Sequence, residues 1–127
     1  MKLASIDVGL KRIGVAICLT SNIVTPQTAI LRKNRDQAAR DINAFLKEWE
    51  IEKLIVGFPS ASEEMQRRIK HFVSLLELQI PYEFQEENMS SIEAEDLIKG
   101  EIKYKRDGRV DSLAAKIILE RFLAKKN

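Results

Sequence analysis

The segment KLASIDVGLKRIGVAICLT, residues 2–20, decides the fold of this chain. Residues 2–7 predict a strand that ends at a turn over residues 8–11. The small and β-branched residues of 12–20 predict a second strand. A third strand is expected over residues 23–31, where Pro26 favours an edge position or a late start. Because the connections are short, we expect the three strands to form an antiparallel meander.

After the meander, the hydrophobic pattern changes to a helical period. Asn34 and Gln37 have the spacing of a capping box in front of an apolar stripe, which predicts a helix. Ser60 and Glu63 have the same spacing in front of a second stripe. Between the two helices, the apolar run over residues 54–58 predicts a strand that is buried on both faces.

The rest of the chain predicts one short strand and two helices. The strand covers residues 81–85, one helix begins at Ser90, and the last helix runs from Val110 onward. A polar, basic loop over residues 100–108 separates the helices. The order βββαβαβαα predicts an α/β fold with a mixed five-stranded sheet and helices on both faces, as in ribonuclease-H-like proteins. We expect residues 1–127 to form a single domain.

Composition excludes several classes of protein. The 127 residues are 45% hydrophobic and 31% charged, which is typical of a packed globular domain. The single cysteine, Cys18, excludes an intramolecular disulfide framework, and the single histidine, His71, excludes a multi-histidine metal site. Both residues are expected to be structural or surface residues. No apolar run approaches the ~18–20 residues that span a membrane, and we expect a cytoplasmic protein.

Acidic residues occupy three informative places. Asp7 ends the first strand, Glu86 and Glu87 stand at the end of the fifth strand, and Asp111 lies in the first turn of the last helix. Each place has an ordinary explanation: an aspartate in a turn, a solvated acidic surface, and an acid favoured by the helix dipole. Because strand ends of an α/β sheet gather at one edge, the acids are also candidates for a single site.

A cluster of carboxylates at that edge predicts a metal site. Converging carboxylates repel one another unless a cation lies between them, and their hard oxygen atoms suit Mg²⁺ or Mn²⁺. Such a site can activate water and stabilise the leaving oxygen when a phosphodiester is cleaved.

Basic residues flank these acids in the sequence. With a net charge of +2, the composition neither demands nor excludes a nucleic-acid partner. Phosphate contacts would use cations distributed in this way, although ordinary surface residues explain them equally well. The candidates are Lys11, Arg12, Lys99, Lys103, Lys105, Arg106 and Arg109.

Four segments of the chain carry motifs that belong together: Ile6–Ala16, Ile55–Pro59, Glu86–Ala94 and Val110–Ala115. As a set they resemble the YqgF/RuvX family, whose members are related to Holliday-junction resolvases and are described as pre-16S rRNA nucleases. The motifs come in the family's order and span almost the whole chain.

The resemblance implies a ribonuclease-H-like fold and a divalent-metal site. Matched residue by residue, it points to Asp7, Glu87 and Asp111 as catalytic acids and metal ligands. Glu86 takes the place of a family aspartate. Adjacent strand residues point to opposite faces, so we expect one of the two glutamates to be the main member of the acidic cluster, namely Glu87. The chain departs from the family at Asn88, where the family has arginine.

The resemblance further implies a metal-dependent endonuclease that acts on structured nucleic acid, with the 5′ end of pre-16S rRNA as the expected target. Arg12 and the basic loop would hold phosphates. Two alternatives stay open: a resolvase of branched DNA, and an RNA-binding ribosome-assembly factor without catalysis. A monomer or a homodimer would fit. Gly9 and Gly14 also resemble the phosphate loop of actin-like ATPases, but those folds close two domains around the nucleotide, and one is expected here.

Overall fold

The computed structural model describes residues 1–20, 22–87 and 112–126. This part of the chain contains five strands and three helices. In chain order they are β1 (Leu3–Val8), β2 (Arg12–Cys18), β3 (Thr25–Leu31), α1 (Arg35–Glu48), β4 (Lys53–Pro59), α2 (Glu63–Leu76), β5 (Tyr82–Glu87) and α3 (Leu113–Lys126). No helix in these ranges is long and apolar enough to cross a membrane.

The five strands form one mixed sheet in the order β3-β2-β1-β4-β5. The meander pairs β1 with β2 and β2 with β3 antiparallel, whereas β4 is parallel to both β1 and β5. The predicted mixed five-stranded sheet is confirmed, and β3 lies at the edge, as Pro26 indicated. The carboxyl ends of β1, β4 and β5 therefore lie at the same edge of the sheet.

Helices cover both faces of the sheet. On one face α1 and α2 pack on a core that includes Ile6, Ile13 and Val56. On the other face α3 packs on a smaller cluster that includes Leu3 and Ile55. Odd-numbered residues of β1 and β4 therefore face α3, because side chains alternate along a strand.

The β1–β2 turn depends on Gly9. Its N–H donates to the carbonyl oxygen of Arg12 at 3.1 Å. A Cβ on Gly9 would lie 2.5 Å from that oxygen, a distance that no ordinary side chain tolerates. The tight turn brings Leu10, Lys11 and Arg12 to the edge where β1 ends.

The predicted helix starts are partly correct. Asn34 caps α1, and its reciprocal capping box with Gln37 is confirmed. The capping box expected at Ser60 is wrong, because Ser62 is the N-cap and its hydroxyl accepts from the N–H of Met65 at 3.2 Å. The fifth strand extends to Glu87, two residues beyond the predicted 81–85. The helix expected from Ser90 and the loop over residues 100–108 lie outside the described residues.

Candidate active site

Asp7 lies on the α3 face of the sheet, next to the end of β1. The same face is fixed two residues earlier, where the Ser5 hydroxyl donates to the Ala115 carbonyl oxygen in α3 at 2.6 Å. Asp7 pairs with Gly14 of β2 and is half-buried. Gly14 is buried and adds no side chain beside Asp7 on that side.

Glu87 is the last residue of β5, and its side chain hydrogen-bonds to that of Asp7. Glu86 is exposed, and alternation along the strand directs it to the opposite face. The structure thus brings Glu87, and not Glu86, to Asp7. The roles of these carboxylates as ligands or catalytic groups stay predictions.

Gly57 of β4 makes room for this contact. A Cβ added at Gly57 would lie 3.0 Å from Oε2 of Glu87 and 2.5 Å from Cδ1 of Ile118 in α3. Gly57 is buried in the strand between β1 and β5. The absence of a side chain here lets the Glu87 carboxyl group lie under α3 and reach Asp7. Sequence reasoning used Gly57 as part of a motif and did not find this role, which depends on the packing of α3.

The acid pair, Asp7 and Glu87, holds a proton when no cation is bound. The pKa of Glu87 is raised to about 8, first by burial and then by the negative charge of Asp7 and their hydrogen bond, against the opposing charge of Arg121. Burial also raises the pKa of Asp7, while the hydrogen bond to Glu87 lowers it. The proton therefore belongs on Glu87, which donates to the Asp7 carboxylate. Sequence reasoning missed Arg121, which lies in α3.

Asp111, the third predicted acid, lies outside the described residues. Its neighbour Ser112 is fully buried, and the Ser112 hydroxyl accepts from the N–H of Val15 at 3.0 Å. This contact forms beside the bulge between Ile13 and Val15, where the β2–β3 register shifts. It ties the start of α3 to the strand residue that follows Gly14, the partner of Asp7.

The acid pair fits a hard divalent cation by the chemistry of its donors. Two half-buried carboxyl groups in contact offer oxygen ligands and carry charge that a cation would neutralise. Within residues 1–20, 22–87 and 112–126, no group of three His, Cys, Asp or Glu side chains is close enough to hold a metal ion. A complete site would need a further ligand, and Asp111 is the predicted one.

Arg12, the first predicted phosphate contact, lines the same cleft as Asp7. A cleft of about 640 Å³ opens at this edge of the sheet. Its lining residues are Asp7, Gly9, Leu10, Lys11, Arg12, Gly14 and Leu31. The other predicted contacts, Lys103, Lys105, Arg106 and Arg109, lie outside the described residues.

Comparison with known proteins relates this chain to nucleases. The family described as "RuvX: Holliday junction resolvase" matches residues 1–125. A protein of Sulfurovum sp. (strain NBC37-1) named "Putative pre-16S rRNA nuclease" is 65% identical over 98% of this chain and 99% of its own length.

Solved structures share the fold. The fowlpox virus Holliday junction resolvase matches with a TM-score of 0.61 and 17% identity over 99% of each chain. RuvC of Thermus thermophilus matches with a TM-score of 0.58 and 12% identity, over 100% of this chain and 97% of that one. The expected ribonuclease-H-like architecture is confirmed by these neighbours.

Proposed function

Because this chain belongs to the RuvX Holliday junction resolvase family, we propose that it is a cytoplasmic endonuclease that cleaves phosphodiester bonds of structured nucleic acid. Its proposed substrate is the 5′ end of pre-16S rRNA. The observation that carries the proposal is the hydrogen-bonded contact between Asp7 and Glu87 at the carboxyl ends of β1 and β5. Ligand sites of α/β sheets form at this edge.

Asp7 and Glu87, joined by Asp111, would hold Mg²⁺ or Mn²⁺. When bound, the metal supplies an activated water and stabilises the leaving oxygen of the phosphodiester. Glu87 contributes by giving up the proton that it holds in the metal-free pair, since a carboxyl group ligates in its charged form. Burial under α3 keeps the pair in one arrangement and restricts the access of bulk water.

The residues of the β1–β2 turn would hold the substrate. Lys11 and Arg12 line the same cleft as Asp7, so their charges lie where a phosphate backbone would approach the pair. Gly14 lines the same cleft without a side chain, which leaves room for a strand to approach Asp7.

A four-way DNA junction is the second candidate substrate. The description of the family and the fold shared with the fowlpox virus resolvase favour it. In both candidate functions a phosphodiester bond is cleaved, so the two functions differ in the nucleic acid that the protein surface binds.

Cleavage assays with both substrates test the proposal. A pre-16S rRNA fragment with its 5′ extension and a four-way DNA junction are incubated with the protein and Mg²⁺ or Mn²⁺, beside EDTA controls. We expect cation-dependent cleavage of the RNA. Cleavage of the junction alone would assign the second candidate function, and tight binding of RNA without cleavage would identify a ribosome-assembly factor.

The neighbouring glutamates provide matched variants. Asp7→Asn and Glu87→Gln are expected to lower the cleavage rate by at least roughly 100-fold, the upper end of what substitution of groups around a metal costs. Glu86→Gln removes the same charge one residue away on the other face and is expected to retain activity. Equal losses in Glu86→Gln and Glu87→Gln would contradict the assigned site.

A further inference from the structure

A second cavity at the same edge of the sheet is lined mainly by arginine side chains. It lies on the α1 and α2 face and has a volume of about 390 Å³. We call it the arginine pocket, and its lining residues are Leu10, Arg32, Arg35, Arg67, Arg68 and His71.

Arg32 forms the fixed base of the arginine pocket. Its Nη1 donates to the carbonyl oxygen of Gly9 at 2.9 Å, and its guanidinium carbon lies 5.4 Å from the ring centre of Phe72. Burial lowers the pKa of Arg32, and the charges of Arg35 and Arg68 lower it further. The side chain is therefore held in place where other positive charges already crowd it.

The positive charge of the pocket is poorly balanced. Arg68 pairs with Glu64 at 2.7 Å across an exposed helical turn. In the part of the chain that the structure describes, Arg35 and Arg67 make no ion pair. Like charges at close range oppose folding, and an anion in the cavity would relieve that repulsion. Planar guanidinium groups suit the oxygens of a phosphate, which they can bind in pairs.

The arginine pocket adjoins the cleft that Asp7 lines. Leu10 lines both cavities, so the β1–β2 turn is their common wall. A strand that crosses this turn, with one phosphodiester at Asp7, would place its next phosphates at the arginines. A phosphodiester backbone has the length and repeated charge to occupy both cavities at once, which a single small anion lacks.

We propose that the arginine pocket binds backbone phosphates of the nucleic-acid strand whose phosphodiester lies at the acid pair. This inference rests on the proposed function, because it takes the same nucleic acid as ligand. Arg35 and Arg67 contact phosphates from α1 and α2, and Arg32 holds the base of the pocket. The site adds binding energy and orientation at a distance from the reacting bond.

Binding without catalysis tests the proposal. Fluorescence anisotropy of labelled pre-16S rRNA fragment and of the four-way DNA junction is measured in EDTA over a series of salt concentrations, so cleavage plays no part. The test variant is Arg35→Gln/Arg67→Gln. The control is Arg40→Gln/Lys47→Gln, which removes the same charge from exposed residues of α1 outside the arginine pocket. Circular dichroism establishes that all three proteins are folded.

We expect the test variant to bind roughly 10-fold or more weakly than the wild type. The slope of log affinity against log salt should fall by about 1–2, since each lost phosphate contact accounts for about 0.7–0.9 of that slope. The control should change the slope by less than half as much. Equal slopes in the test variant and wild type, or equal changes in test variant and control, would overturn the proposal.

A titration with pyrophosphate separates a nucleic-acid backbone from a free anion. Calorimetric binding of pyrophosphate to the wild type that is lost in Arg35→Gln/Arg67→Gln, with nucleic-acid binding unchanged, would make the pocket a free-anion site and overturn the proposal. If the slope falls as expected but no substrate is cleaved with Mn²⁺, the pocket stands and the proposed endonuclease activity fails. If the wild type binds neither nucleic acid, both proposals fail.

Discussion

Asp7 and Glu87 share a side-chain hydrogen bond although a whole strand, β4, lies between the strands that carry them. Adjacent strands lie about 4.8 Å apart, so β1 and β5 are separated by about 10 Å. The two carboxyl groups meet above β4, where Gly57 leaves the surface of the sheet without a side chain. The acid pair therefore depends on a residue that contributes no functional group.

Substitution of Gly57 tests this dependence. Gly57→Ala places a methyl group 2.5 Å from Cδ1 of Ile118 and 3.0 Å from Oε2 of Glu87. We expect the free energy of unfolding to fall by about 1–3 kcal/mol through overpacking, and the cleavage rate to fall with it. Urea unfolding monitored by circular dichroism measures the first effect.

Ile118→Val provides the control in a double-mutant cycle. The valine lacks Cδ1, so in the Gly57→Ala background it should restore part of the lost stability. In the wild-type background the same change should cost about 0.5–1.5 kcal/mol. Simple additivity of the two substitutions would show that the methyl group and Ile118 do not compete for the same space.

The raised pKa of Glu87 predicts how the metal-free protein responds to pH. The pKa is about 8 in the native state and near its ordinary 4.5 in the unfolded chain. Between these values the native state binds more protons, so the free energy of unfolding should fall as pH rises from about 4.5 to about 8. The slope is at most about 1.4 kcal/mol per pH unit for one group, and less here because solvent reaches Glu87. Asp7, whose pKa is also raised, acts in the same direction.

Urea unfolding in EDTA at several pH values measures this slope. Glu87→Gln should flatten it, whereas the exposed Glu86→Gln should leave it in place. Saturating Mn²⁺ should also remove the slope from the wild type, since a bound cation stabilises the charged carboxylates. A wild-type stability that is level or rises between pH 5 and 8 in EDTA would contradict a shared proton in the acid pair.

Local sequence signals predicted the placement of Asp7 but not its surroundings. The Gly9 turn places Asp7 at the end of β1. Glu86 and Glu87 were expected near the end of β5, and alternation along the strand separates their side chains. The helix start at Ser62 was missed because two serines precede two glutamates. The contact that identifies the N-cap is seen only in the structure, where the Ser62 hydroxyl accepts from the N–H of Met65 at 3.2 Å.

Contacts between distant segments explain what the sequence did not predict. Gly57 acquires its role from the packing of Ile118 in α3, and the arginine pocket forms where Arg32 and Arg35 meet Arg67 of α2. In the sequence Arg35 and Arg67 belong to ordinary charged helix surfaces, and Arg32 lies in the connection between β3 and α1. Their proximity depends on how α1 and α2 pack on the sheet, which no local pattern specifies.

The Ser112 hydroxyl is predicted to contribute more to the free energy of unfolding than the Ser5 hydroxyl, although both serines join α3 to the sheet. Ser112→Ala leaves the buried N–H of Val15 without its acceptor, which should cost about 1–3 kcal/mol. Ser5→Ala removes a donor from the Ala115 carbonyl oxygen, which keeps its position in the helical ladder, so the cost should be about 0.5–1.5 kcal/mol. Thermal unfolding compares the two. A larger loss in Ser5→Ala would contradict the anchoring role of Ser112.

Asp111 directly precedes Ser112, and its substitution tests whether Asp111 is the third metal ligand. If it belongs to a cluster of like charges, Asp111→Asn relieves repulsion, so the metal-free protein should keep or gain stability. Mn²⁺ should then raise the melting temperature of the variant less than that of the wild type, because binding stabilises only the native state that holds the ion.

The matched control is Asp36→Asn, an exposed acid in the first turn of α1. There the loss of a helix-dipole interaction should cost about 0.3–1 kcal/mol and leave the Mn²⁺ shift unchanged. If Asp111→Asn behaves like Asp36→Asn, with a small loss of stability and a full Mn²⁺ shift, Asp111 stabilises the start of its helix and ligates no metal.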